Sequence, residues 1–154
     1  MAYNYNKDRS YRPQGGRGDN TRPQQRSEVS YDHILRTFNP QWITNEIDAE
    51  CVRFCEDVAK ELAGNKLSSS FIRNVYGELK RIETKGFDNC RTDFYLLRPK
   101  VAYSTARSDK KHIAELFKQV YNRMADNVND NASFVNLVRM SEAIIAYHKT
   151  IYDK

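Results

Sequence analysis

The chain has no apolar run approaching the roughly 18 residues that a membrane span needs, and its first residues lack the apolar segment of a secretory signal. A cytoplasmic protein is expected. Cysteine is scarce: Cys51, Cys55 and Cys90 are an odd three without a C-x-x-C pair, which argues against a disulfide framework. Cys51 and Cys55 stand one helical turn apart, and His33, His112 or His148 could join them around a metal. The close-spaced ligand pairs of the usual zinc sites are missing, however, and small buried thiols explain the spacing better. No metal or cofactor is expected. No stretch alternates apolar and polar residues between turn signals, so no sheet is expected either. Apart from Arg107 with His112, no set of acid, base and nucleophile stands out.

What the chain does have is charge, unevenly spread. Its 25 Lys and Arg against 20 Asp and Glu leave a net +5 over 154 residues. Residues 1–40 carry +3, residues 41–63 carry −4, residues 64–111 carry +6, and the remainder sums to zero. A basic middle third points to a polyanionic partner. Nucleic acid fits better than a membrane, because no apolar amphipathic anchor accompanies the charge. The length suits one domain with a tail.

Residues 1–30 are rich in Asn, Gln, Gly, Arg, Pro and Ser, with Tyr3, Tyr5 and Tyr11 nearly their only large apolar groups. Such a segment buries too little to offset the entropy of ordering, so a disordered or weakly ordered basic tail is expected over residues 1–40. Arg12, Arg17, Arg22 and Arg26 with Gly15, Gly16 and Gly18 resemble a short arginine-glycine segment of the kind that grazes RNA, although a solubilising tail explains them better. Ile34, Leu35 and Phe38 either form a short helix or lie on the bundle. A helical domain is expected over residues 41–154.

Within it, Ile47, Cys51, Phe54, Val58 and Leu62 recur at intervals of three and four, with Asn45 as the expected N-cap and Gly64 and Asn65 as the stop. A second helix starts in Ser68, Ser69 and Ser70 and runs to Lys85 on Ile72, Val75, Tyr76, Leu79 and Ile82, with Gly86 closing it. A third begins near Cys90 or only near Arg98, since Pro99 would cost about 3 kcal/mol in a helix interior but suits a first turn. Ser108 is expected to cap a fourth, carrying Ile113, Leu116, Phe117, Val120, Tyr121 and Met124. The turn residues Asn127 to Asn131 precede a last helix from about Ala132 to Tyr152. The fold class is all-α, a compact bundle of about five helices.

On the third helix, Phe94, Leu97, Val101 and Thr105 share one side, while Lys100, Tyr103 and Arg107 share nearly the opposite one. Two cations around an aromatic ring suit a phosphate backbone whose bases stack on the ring or slide past it. On the second helix Arg73, Gly77, Lys80 and Thr84 lie about 100° from the core stripe. A helical glycine costs about 0.5 to 1 kcal/mol relative to alanine, so Gly77 is explained by a ligand or a neighbouring helix passing close to the backbone. If these two helices are neighbours, Lys100 and Arg107 adjoin Arg73 and Lys80.

Three segments carry a resemblance by their order: Ser70-Phe-Ile-Arg-Asn-Val-Tyr-Gly-Glu-Leu-Lys-Arg-Ile82, Leu97-Arg-Pro-Lys-Val-Ala-Tyr-Ser-Thr-Ala-Arg107, and Phe134 to Lys149 ending Ala-Ile-Ile-Ala-Tyr-His-Lys. Over roughly residues 45–150 the chain resembles the small subunit of the type III-A CRISPR effector, the Csm complex. That resemblance implies a non-catalytic, all-helical subunit of an antiviral ribonucleoprotein, present in several copies that stack beside the guide-bearing filament and line the target RNA path. The implied partners are guide RNA and target RNA, the backbone and large subunits, and other copies of the chain. Cutting of target RNA would belong to the backbone subunit, and DNA cutting and signalling to the large one. Arg73, Lys100 and Arg107 become the implied RNA contacts, with Lys80 and Arg81 following and Tyr103 joining them from the stripe itself.

Two other function classes compete. Arg107-Ser-Asp-Lys-Lys-His112 has the R-x4-H spacing of HEPN-type ribonucleases, in which the arginine would stabilise charge at the phosphate and the histidine would transfer a proton. The pair straddles an expected helix start, and Ser108 stands where such sites often carry a different polar residue. The third class is a scaffold that binds only protein, for which the basic middle would be incidental.

Overall fold

The computed structural model describes residues 31–152, so residues 1–30 of the tail expected over residues 1–40 lie outside the described part. Among the described residues every regular element is helical. Two single-turn helices, α1 (Asp32–Leu35) and α2 (Gln41–Thr44), lead into five long ones: α3 (Ala49–Gly64), α4 (Ser69–Lys85), α5 (Arg91–Arg107), α6 (Lys111–Ala125) and α7 (Asn131–Tyr152). A 3-10 turn, Phe87–Asn89, joins α4 to α5.

The caps show how local chemistry sets these limits. Asp48, not Asn45, caps α3: its backbone is extended and its carboxylate accepts the Cys51 N–H at 2.9 Å. Ser68 caps α4 by accepting the Phe71 N–H at 3.4 Å, and Gly86 ends it at φ 91°. The close of α3 is less obvious. Lys66 takes φ 64°, its N–H donates to the Ala63 carbonyl at 3.0 Å and the Leu67 N–H donates to the Leu62 carbonyl at 3.0 Å. This is a Schellman motif with lysine in the left-handed position that glycine usually fills, and Leu67 beyond it is buried.

α5 is continuous through Pro99, which settles the choice left open by the sequence. Proline leaves the Tyr95 carbonyl without its helical partner, but Tyr95 and Pro99 are both exposed, so that oxygen can be hydrated. Ser108 does not cap α6. Its hydroxyl accepts the Lys110 N–H at 3.1 Å within the connecting turn, and α6 starts at Lys111.

The long helices contact one another in the cyclic order α3, α7, α4, α5, α6 and back to α3. α7 carries the broadest buried face, with Phe134, Leu137, Val138, Met140 and Ile144 in the core. Phe87 stacks on Phe134 at 4.9 Å between centroids, and Phe94 meets Phe134 edge-on at 5.6 Å, which ties the 3-10 turn and α5 to α7. Trp42 and Phe54 lie 5.4 Å apart, with Phe38 5.8 Å from Phe54, and Ile34 and Leu35 are buried in the same core. Polar residues on α7 fix the connections. Asn136 donates to the Ile43 carbonyl at 3.0 Å, and His148 Nε2 lies 2.9 Å from the Leu67 carbonyl. His148 therefore has a structural place, stacked on Tyr152.

Candidate nucleic-acid interface on α4 and α5

α5 is pinned by one narrow stripe, Phe94, Leu97, Val101 and Thr105, and everything else on it is exposed or half-buried. The Thr105 hydroxyl adds a bond to the Val101 carbonyl at 2.9 Å, which lets a polar residue sit in that stripe. The outward side is also apolar: Tyr103 is 61% exposed, Tyr95 59% and Leu96 52%. A helix with apolar residues on opposite faces has one face for the core and one with nothing of its own chain to cover it.

Lys100, Tyr103 and Arg107 share that outward side as expected. Arg107 Nη1 donates to the Tyr103 hydroxyl at 2.8 Å, and its guanidinium carbon lies 5.4 Å from the ring centroid. Neither contact is to an acid, and the ring is steadied. Lys100 has no ion-pair partner among the described residues, and neither has exposed Arg73 on α4. Arg81 Nη1 reaches Asp93 at 3.5 Å, which sets α4 and α5 side by side.

Lys80 and Arg81 are placed differently. Lys80 binds Glu83 at 2.7 Å, with Tyr76 and Glu142 of α7 nearby, and the Glu83 carboxylate holds its ammonium above the ordinary lysine range. Arg81 is clasped by Glu78 at 2.9 Å and by Asp93, the former being the larger cause of its raised pKa. Both cations are already balanced by acids. The two short-range pairs are i, i+3 neighbours, a spacing that sequence inspection can flag. Gly77 faces open space: a methyl group built on it meets nothing within 4 Å, so no neighbouring helix of this chain requires the glycine.

Arg107 and His112 are turned to different partners. Arg107 reaches back along α5 to Tyr103, while the His112 ring lies 6.0 Å from that of Tyr31. Among the described residues no three His, Cys, Asp or Glu side chains gather as a metal site. Cys55 is buried, and its thiol lies 3.7 Å from the Met140 carbonyl; its pKa is raised far above the thiol range, first by hydrogen bonding with Cys51. Such a thiol is inert at neutral pH.

The family model described as Csm2 Type III-A matches residues 46–154. The chain belongs to the Csm2 Type III-A family. It is a small subunit of the type III-A CRISPR effector complex. No curated protein and no solved structure matches it. The matched span takes in α3 to α7, so the stripe on α5 and the Arg73 face of α4 both lie within the part that makes this chain a Csm2 family member. Among the described residues no helix is long and apolar enough to cross a membrane.

Proposed function

We propose that this subunit lines the target RNA path of the complex and holds the RNA backbone without reading its sequence. Arg73, Lys100 and Arg107 take phosphates and Tyr103 lies beneath the strand, while Lys80 and Arg81 contribute less because acids already balance them. The observation that carries this reading is the outward face of α5, where Lys100, Tyr103 and Arg107 stand exposed together. Point charges on helices grip any sequence alike, which suits an assembly whose specificity comes from guide pairing. The subunit adds no chemistry of its own. Its partners are guide and target RNA, the backbone and large subunits and further copies, and the work is antiviral defence inside the cell. One copy binds weakly, and several copies on one filament gain affinity through effective concentration.

The test is RNA binding across a range of salt, on the isolated protein and on the assembled complex. Alanine at Arg73, Lys100 and Arg107 should weaken binding for every sequence tried and flatten the log-log salt slope by about 0.7 for each phosphate of the single strand that is no longer held. If all three can be neutralised without loss in either setting, the protein-only scaffold takes the place of this reading.

A further inference from the structure

Of the segment Arg107-Ser-Asp-Lys-Lys-His112, only Arg107 belongs to the outward face of α5; the rest forms the turn into α6 and its first residues. That turn borders a cleft of about 460 Å³, within the roughly 300 to 1,000 Å³ typical of ligand sites. Ser108 to Ile113 line it together with Tyr31 and Asn65. The Ser108 hydroxyl accepts the Lys110 N–H at 3.1 Å, which fixes the shape of the turn. The rings of Tyr31 and His112 lie 6.0 Å apart and give the cleft an aromatic wall.

Its charge points to an anion. Lys110 and Lys111 are exposed, and among the described residues neither has an ion-pair partner. Asp109 lines the cleft beside them but pairs with neither. α6 also opens with no acid in its first turn and no side-chain cap, so nothing there offsets the two lysines. Cations at the positive end of a helix are unfavourable, and an anion in the cleft removes that cost.

The chain itself says which anion comes within reach. Lys100 and Arg107 are seven residues apart, about 10 Å along the axis of α5, and the line they make runs towards the turn. Lys110 follows Arg107 by three residues, a span of at most about 11 Å even when fully extended. A strand whose phosphates follow Lys100 and Arg107 therefore arrives beside Lys110 and Lys111.

We infer that this cleft holds the phosphate that comes after the one on Arg107 along the bound RNA, with Lys110 and Lys111 as its cations and the Tyr31 and His112 rings as the wall its nucleoside rests on. This rests on the phosphate-binding reading of α5 and carries that path around the end of the helix. It also gives the R-x4-H spacing a use other than cleavage, since Arg107 and His112 then serve successive stretches of one strand.

The experiment uses the full-length protein and single-stranded RNA carrying 4-thiouridine, titrated at several salt concentrations. Lys110→Ala with Lys111→Ala should leave the thermal midpoint unchanged or slightly raised, because two cations leave the positive end of α6. The same variant should bind about two- to tenfold more weakly whatever the sequence, and the log-log salt slope should flatten by about 0.7 for each phosphate released. Lys85→Ala with Arg123→Ala removes equal charge from exposed residues in the last turns of α4 and α6, and should weaken binding clearly less. Irradiating the wild-type complex should attach thiouridine to the peptide holding His112 or to the one holding Tyr31. Equal losses from the two double variants would mean that only net charge is felt, and would overturn the site. So would unchanged affinity in the variant lacking Lys110 and Lys111, or crosslinks confined to α5. If Lys100→Ala with Arg107→Ala loses binding while that variant does not, the cleft inference alone is overturned. Indifference of both removes the phosphate reading as well.

Discussion

Arg107 and Tyr103 form a unit on the surface of α5: one hydrogen bond of 2.8 Å and a guanidinium carbon 5.4 Å from the ring centroid fix an aromatic face that is otherwise open. A ring 61% exposed contributes little to the core, so Tyr103→Ala should leave the thermal midpoint nearly unchanged. RNA affinity should fall, because stacking a base on an aromatic ring contributes about 1 to 3 kcal/mol. Melting and RNA titration on the same variant separate the two effects. A large drop in midpoint would show Tyr103 to be a core residue, contrary to its exposure.

Gly77 gives a prediction with two signs. It lies inside α4 with open space where a side chain would start, so Gly77→Ala should stabilise the free protein by about 0.5 to 1 kcal/mol. If RNA passes close to the backbone between Arg73 and Lys80, the same methyl group should weaken binding. Chemical denaturation tests the first half and titration the second. A variant that is stabilised and binds RNA normally would leave Gly77 without a functional explanation.

The period of three and four made the five long helices legible, because each buries a stripe and the stripes are regular in Val58, Leu62, Ile72, Leu79 and Phe117 alike. Residues 31–44 were harder to read. Ile34, Leu35, Trp42 and Ile43 are all buried, but they sit in two helices of four residues each, too short for any period to show. Pro99 left room for a break that tertiary packing overrides, since Phe94 and Leu97 on one side of it and Val101 on the other enter the same core. At the interface the register of Lys100, Tyr103 and Arg107 could be read because it belongs to one helix. The balance of Arg81 by Asp93 could not, because it depends on where a second helix falls.

Lys66 is a stability prediction independent of RNA. At φ 64° a residue with a side chain sits in the left-handed region, at a cost of about 1 to 2 kcal/mol relative to ordinary backbone, and glycine avoids most of it. Lys66→Gly should raise the denaturation midpoint, while Lys66→Val should lower it by more. A Lys66→Gly variant less stable than the parent would mean that the lysine side chain stabilises the motif in a way that outweighs its backbone cost.

Asp130 sets an acid dependence. Its carboxylate accepts the Ser133 N–H at 2.8 Å and the Ser133 hydroxyl at 2.7 Å at the start of α7, and these bonds hold its pKa below the ordinary carboxylate value, the backbone bond first. A depressed folded-state pKa means the contribution is complete above the unfolded value, near pH 4, and is lost as pH falls through the lowered one. Asp130→Ala should therefore lower the midpoint at pH 7, and the gap between variant and parent should close on acidification. A gap that is constant down to pH 2 would show that the charged carboxylate is not what caps α7.

The last prediction concerns where the folded unit begins, which we propose lies near residue 31 rather than 41. Ile34 and Leu35 are buried in the core that holds Trp42 and Phe54, and burying an aliphatic side chain of that size contributes about 1.5 to 3 kcal/mol. Starting at residue 41 would also remove Phe38, whose ring lies 5.8 Å from that of Phe54. The composition of residues 1–30, by contrast, offers almost no apolar surface to bury, so protease should trim the chain towards Tyr31 and then stop. A chain starting at residue 31 should keep the full-length midpoint, and one starting at residue 41 should melt well below it. Equal midpoints for those two chains would show that the packing of Ile34 and Leu35 adds nothing to stability and would return the boundary to residue 41. If instead the chain starting at residue 31 melts below full length, the first 30 residues contribute to the fold despite their composition.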